Sequence, residues 1–151
     1  MKFTETNLKG AYVIEMDLVK DNRGFFARYF CAEEFKKNGL NPNLSQISLA
    51  FNEKKETLRG MHFQNKPHEE AKLVRCTTGK IYDVIIDLRK DSPTFKKWFS
   101  LEVTSHKMIY LPEGFAHGYQ TLEDNTEVIY HMSVPFNVES YAGVRWNDPA
   151  F

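Results

Sequence analysis

Period-two alternation of apolar and polar side chains, broken every few residues by Gly, Pro, Asn, Asp or Ser, is the feature that most restricts this chain. Successive side chains of an extended strand point to opposite faces, so alternation buries one face and wets the other, and closely spaced turn signals leave no room for long helices. The runs at 11–19, 24–30, 45–52, 58–64, 71–76, 80–89, 97–104, 107–112, 117–123 and 127–134 all read as strands. Helical spacing is confined to "AEEFKKNG", Ala32 to Gly39, with acids early, lysines late and a glycine suited to the left-handed position that ends a helix. The pattern predicts an all-β fold of antiparallel sheets with one or two short helices. Turns are expected at "TTGK" (77–80), "DSPT" (91–94) and "PEG" (112–114), the first as a hairpin, so that the middle of the chain reads as a meander. Two sheets packed face to face, with a ligand in the open mouth, accommodate both the strand number and the polar residues on inward faces.

The 151 residues, 42% hydrophobic, suffice for one domain with its own core. Twenty basic residues balance twenty acidic ones, so no overall field draws the chain to nucleic acid or acidic lipid, and a phosphate-bearing ligand would need a local basic site. Two cysteines, Cys31 and Cys76, in a chain this large, and no signal-peptide pattern at residues 1–10, predict a cytoplasmic location. No apolar run approaches the roughly 18 residues that span a bilayer.

Chemistry-bearing residues concentrate in the middle of the chain. In "IYDVIIDL" one face carries Ile81, Asp83, Ile85 and Asp87, and an aspartate among isoleucines predicts a face that meets a polar cavity. In "LRGMHFQ", Arg59 and His62 lie on opposite faces of an ideal strand, but a bulge at Gly60 would turn both inward; the alternative is a solvated polar edge strand. A metal-binding site of the kind that pairs two histidines one residue apart would find Gln64 at its second position, leaving His62, His68, Glu70 and His117 as ligand candidates. Proton abstraction beside a carbonyl needs a base, a cation for the developing oxyanion and an acid. His62 suits the base, Lys72 and Arg59 the cation, and Asp83 the orienting carboxylate. His117 follows a Pro-Glu-Gly turn and Tyr130 sits mid-strand, either catalytic or simply packed, while His131, on the opposite face, is expected at the surface. Loop, metal and proton-transfer readings all stay open on these residues alone.

The motifs "DNRGFFARYF" (21–30), "LRGMHFQ" (58–64), "AKLVRCTTGKIYDVIIDLRKDSPTFKKW" (71–98), "LPEGFAHGYQTL" (111–122), "VIYHMS" (128–133) and "GVRWNDP" (143–149) occur in one order over nearly the whole chain. Together they resemble the dTDP-4-dehydrorhamnose 3,5-epimerase family of the cupin superfamily. The resemblance implies a jelly-roll cupin over residues 1–151 that inverts carbons 3 and 5 of a nucleotide-diphospho-4-keto-6-deoxysugar, without metal or other cofactor, in cell-surface polysaccharide synthesis. It implies His62 as general base, Tyr130 as acid and Lys72 as enolate-stabilising cation, with Arg59, Asp83 and His117 lining the same pocket. Arg23, Phe26 and Gln46 match nucleotide-holding positions, some reaching in from the partner of a homodimer. Two departures are expected to matter. The family's segment beyond "WNDP", which carries the aspartate paired with the catalytic histidine, is not in this sequence, leaving Asp83 as the expected substitute, and Phe136 stands where the family usually has tyrosine. "NKPHEE" (65–70) reads as a solvated loop. Rival readings are an epimerase acting on one carbon or another nucleotide sugar, a catalytically silent sugar-nucleotide-binding cupin, and a metal-dependent cupin.

Overall fold

In the computed structural model, which describes residues 1–151, the alternating segments form thirteen strands and one helix. They are β1 Lys2–Glu5, β2 Tyr12–Glu15, β3 Val19–Asp21, β4 Gly24–Phe26, α1 Ala32–Lys37, β5 Gln46–Asn52, β6 Leu58–Gln64, β7 Lys72–Thr78, β8 Ile81–Asp87, β9 Trp98–Val103, β10 Lys107–Leu111, β11 Phe115–Thr121, β12 Thr126–Met132 and β13 Tyr141–Gly143. A six-stranded sheet in the order β1-β2-β10-β7-β12-β5 faces a five-stranded sheet in the order β13-β6-β11-β8-β9, with β3 and β4 paired apart from both. Every pairing is antiparallel, and the two facing sheets form a cupin-type jelly roll.

The inward residues of alternating strands, among them Val74, Ile81, Ile85, Ile109, Phe115 and Val128, fill the space between the sheets with Leu8 and Ala11. Removing one such aliphatic side chain costs about 2–5 kcal/mol, so this layer fixes the spacing of the two walls. A second cluster covers the outer face of β2, β10 and β7: Phe35 of α1 packs there with Ile14, Leu73, Met108 and Tyr110. Coverage stops at β12. Beyond it, edge strand β5 presents Ile47, Leu49 and Phe51 outward, each about half exposed. His131, expected at the surface, is instead buried on this outer face, its Nε2 3.2 Å from the Tyr29 hydroxyl, because the segment leading into α1 folds over it.

Strand order departs from the predicted meander. β7 and β8, joined through residues 79–80, lie in opposite sheets, and β10, β11 and β12 also alternate between sheets. Gly79, at φ +74°, turns the chain across the sandwich so close to β12 that a Cβ there would lie 2.4 Å from Thr126 Oγ1. Alternation dictates which face of a strand is buried but not which strand lies beside it. β1 and β13 were not anticipated, and "GFFARYF" pairs only over Gly24–Phe26.

The connection from β8 to β9 is tied down by Asp87, which is fully buried. Burial alone would raise its carboxyl, but Arg89, Ser92 and Thr94 all donate hydrogen bonds to it, at 2.6–2.9 Å, and hold it down to about 2. A carboxylate held below its ordinary value of 3.8 stabilises the fold above that pH and loses the contribution as pH falls toward about 2. Acidification from pH 5 to 2 should therefore remove about 2 kcal/mol through this one group. Asp87→Asn should lower Tm by about 5 °C at neutral pH and flatten that acid dependence in thermal denaturation; an unchanged acid slope would assign it to other carboxylates.

Candidate active site

One end of the sandwich opens as a cavity of about 290 Å³ whose walls come from both sheets. The five-stranded side contributes His62 and Gln64 from β6 and His117 from β11, while the six-stranded side contributes Gln46 and Ser48 from β5, Lys72 from β7, and Tyr130 and Met132 from β12. Phe136 and Tyr141 close the rim.

Gly60 creates the local geometry of β6. Its φ is +99°, and a Cβ on it would lie 2.6 Å from Gly118 Cα and from the His117 carbonyl oxygen. At this crossing the register slips, so that His62 stands opposite His117 while Arg59 stands opposite Tyr119. Since 117 and 119 share a face, Arg59 and His62 share one too, as the predicted bulge requires. Arg59 Nε donates to Asn52 Oδ1 of β5 at 2.7 Å, bridging the two sheets beside the cavity.

Two polar side-chain pairs are sunk into the walls. His117 Nε2 lies 2.7 Å from Asp83 Oδ2, with Asp83 wholly buried. Lys72 Nζ lies 2.6 Å from Glu70 Oε1, both side chains nearly inaccessible. His62, in contrast, sits at the mouth without a carboxylate partner; the Tyr141 ring packs against it at 5.3 Å, and Phe136 meets the edge of Tyr141 at 5.6 Å. Partial enclosure, and then the positive charges of Lys72, His117 and Arg59, push His62 below the ordinary histidine value of 6.5. The imidazole is thus neutral, and able to accept a proton, at neutral pH.

The fold gathers His62, Lys72, His117, Tyr130 and Gln46 around one space, with Arg59 alongside. Asp83 is corrected in its role: it backs His117, not His62, because β8 pairs directly with β11 and only indirectly neighbours β6. Arg23 and Phe26 lie outside this cavity on the β3–β4 hairpin, where Arg23 pairs with Asp21 and Phe26 is 72% exposed. Of the metal-ligand candidates, His62, Glu70 and His117 line the cavity while His68 does not, and three of the four are engaged elsewhere: His68 bonds Ser140 Oγ, Glu70 holds Lys72 and His117 holds Asp83. Gln64 is structural, its amide donating to the His68 and Pro135 carbonyls and accepting from the Asn137 N–H. The 65–70 segment is therefore pinned, not a free solvated loop. Tyr141 was missed as a cavity residue, and Glu70, weighed only as a metal ligand, was otherwise left in the solvated 65–70 loop. Glu70 was legible from its place two residues before Lys72, which in extended chain puts both on one face; Tyr141 had no local signal.

Comparison with known proteins follows the same outline. The profile of the family described as dTDP-4-dehydrorhamnose 3,5-epimerase matches residues 5–151. The chain is 36% identical over 152 residues to the dTDP-4-dehydrorhamnose 3,5-epimerase of Sinorhizobium fredii, spanning 99% of this chain and 78% of that protein. The crystal structure of dTDP-4-dehydrorhamnose 3,5-epimerase from Bacillus anthracis, with TDP and PPi bound, superposes with a TM-score of 0.95 at 38% identity, covering 98% of this chain and 86% of that one. The Legionella pneumophila dTDP-6-deoxy-D-glucose-3,5-epimerase in complex with dTDP-4-keto-L-rhamnose gives 0.92 at 28% identity over 99% and 80% of the two chains.

Proposed function

Because this chain belongs to the dTDP-4-dehydrorhamnose 3,5-epimerase family, we propose that it inverts carbons 3 and 5 of a dTDP-linked 4-keto-6-deoxysugar, converting dTDP-4-dehydro-6-deoxy-D-glucose to dTDP-4-dehydro-L-rhamnose. Both carbons flank the C4 ketone, so removal of either proton gives an enolate on the same oxygen. The observation that carries the reading is the placement of His62 and Tyr130 on opposite walls of one cavity, from β6 of one sheet and β12 of the other. Inversion requires a proton to leave one face of the carbon and another to arrive on the opposite face. His62 takes the first as a neutral imidazole, and the Tyr130 hydroxyl supplies the second. Lys72 holds the enolate oxygen as charge develops on it, an interaction stronger in the transition state than in the ketone. His117, held by Asp83, lines the opposite wall beside His62.

A cavity of about 290 Å³ suits a sugar ring, so the nucleoside diphosphate extends outward past Gln46. Arg23 and Phe26 of a second subunit are assigned to its diphosphate and base, an arginine for charge-assisted bonds and an aromatic for stacking. The exposed Ile47, Leu49 and Phe51 support a homodimer built on the uncovered outer face of β5. Residues 1–151 act as one domain, since the central core draws on residues from Leu8 to Val128. No helix is long and apolar enough to cross a membrane. Two free cysteines support a reducing, cytoplasmic setting.

Incubation with dTDP-4-dehydro-6-deoxy-D-glucose in deuterated water should introduce deuterium at C3 and C5, read by NMR or mass spectrometry. Tyr130→Phe should keep much of the exchange while losing inverted product by about 10²-fold, since abstraction precedes the step it serves. Label at a single carbon would select the narrower epimerase, and no label would leave a sugar-nucleotide-binding cupin.

A further inference from the structure

Glu70 is the charged cavity side chain for which proton transfer between His62 and Tyr130 has no use. It is 6% exposed, and while Oε1 contacts Lys72 Nζ at 2.6 Å, Oε2 is enclosed without a hydrogen-bond partner. A carboxylate withdrawn from water and only half satisfied is costly, and breaking such a pair on one side costs more than never having built it. The pair follows from backbone geometry. Residues 70 and 72 point the same way from extended chain, and Ala71 between them is clamped by Ser133, whose Oγ accepts from the Ala71 N–H at 2.8 Å and whose N–H donates to the Ala71 carbonyl at 3.0 Å.

The titratable groups that share the cavity with Lys72 and Glu70 are His62 on β6, His117 on β11, Tyr130 on β12 and Tyr141 on β13. None is an anion that could replace Glu70, because the nearby Asp83 is engaged with His117. Further along its strand, the inward neighbours of Lys72 are apolar Val74 and Cys76. A lysine left alone in such a wall would swing its head group out to water. Resting on the reading of Lys72 as the cation that receives the enolate oxygen, we infer that Glu70 is a positioning residue that holds the Lys72 ammonium in place on the cavity wall. Glu70 then acts on the reaction only through Lys72.

The test is a double-mutant cycle in steady-state kinetics. Glu70→Gln should lower kcat by about 10-fold or more with a smaller change in KM. Glu70→Asp, which keeps the charge, should return much of the lost kcat. In a Lys72→Met background, Glu70→Gln should change the rate by less than about twofold, because the group it acts through is gone. An unchanged kcat in Glu70→Gln, or a rate loss of the same size with and without Lys72, would overturn the inference and leave Glu70 as a structural residue. Lys72→Met with undiminished exchange would instead overturn the enolate role itself, so the two failures are distinguishable. Should Glu70→Gln alone fold poorly, Glu70→Asp and the double variant, which removes both charges, still decide the matter.

Discussion

His62→Ala is expected to lower kcat by about 10³-fold or more and to abolish deuterium exchange at both carbons together. The simultaneous loss follows from one base serving two carbons beside one ketone. Rescue by the second cavity histidine is not expected, since His117 is bound to Asp83 at 2.7 Å and faces the space from a different strand. Stability should hardly change, because His62 stands at the mouth without a hydrogen-bond partner, and exposed substitutions of this kind stay within about 0.5 kcal/mol. The loss would then be chemical rather than structural. In the parent enzyme the acidic limb of kcat/KM should fall below the ordinary histidine value of 6.5, because enclosure and the charges of Lys72, His117 and Arg59 disfavour the imidazolium. The direction is fixed by the role: a base works deprotonated, so activity rises with pH through this limb. Retained exchange in His62→Ala would move the base to another residue, with His117 the first to test.

Lys72→Met is expected to act on rate and stability at once. Removing a donor aimed at a developing oxyanion costs about 10²–10³-fold in kcat. The same substitution strands Glu70, buried with no other partner, at about 3–5 kcal/mol of stability. Thermal denaturation and steady-state kinetics separate the two effects when Glu70→Gln is added. Much of the lost stability should return, since a neutral amide beside a thioether carries no stranded charge, while turnover should remain low. Recovery of both together would mean that Lys72 serves folding alone.

Several features of the site could be read directly from the chain. Gly60 between Arg59 and His62 signalled a bulge because only a residue free of a side chain tolerates both its φ of +99° and the approach of Gly118. Asp83 among isoleucines signalled a polar partner within the sandwich: it lies wholly buried behind the cavity, joined to His117, which lines it. The ordered motifs identified the family. Where local reading went astray, the deciding contact joined residues distant in sequence. Asp83 was matched to His62 on chemical need, but β11 rather than β6 lies next to β8 in the sheet. His131 was placed at the surface from its face alone, although the segment carrying Tyr29 covers it. The "NKPHEE" stretch looked solvated because every side chain in it but the proline is polar, yet Gln64 and Ser140 pin it to neighbouring loops.

The sequence by itself determined that the chain would form short antiparallel strands with one apolar face each and one or two short helices, among them the one near residue 35, and its ordered motifs determined the family. Side-chain period and turn chemistry are local properties, and they survive any arrangement of the strands. Only the tertiary structure decided which sheet each strand joined, and therefore which charges met. Placing β6 and β12 on facing walls set His62 against Tyr130, and sinking β7 between β10 and β12 buried Lys72 deeply enough to need Glu70. Those pairings depend on strand order, which an alternating pattern leaves undetermined because every such strand offers its neighbours the same hydrogen-bonding edges.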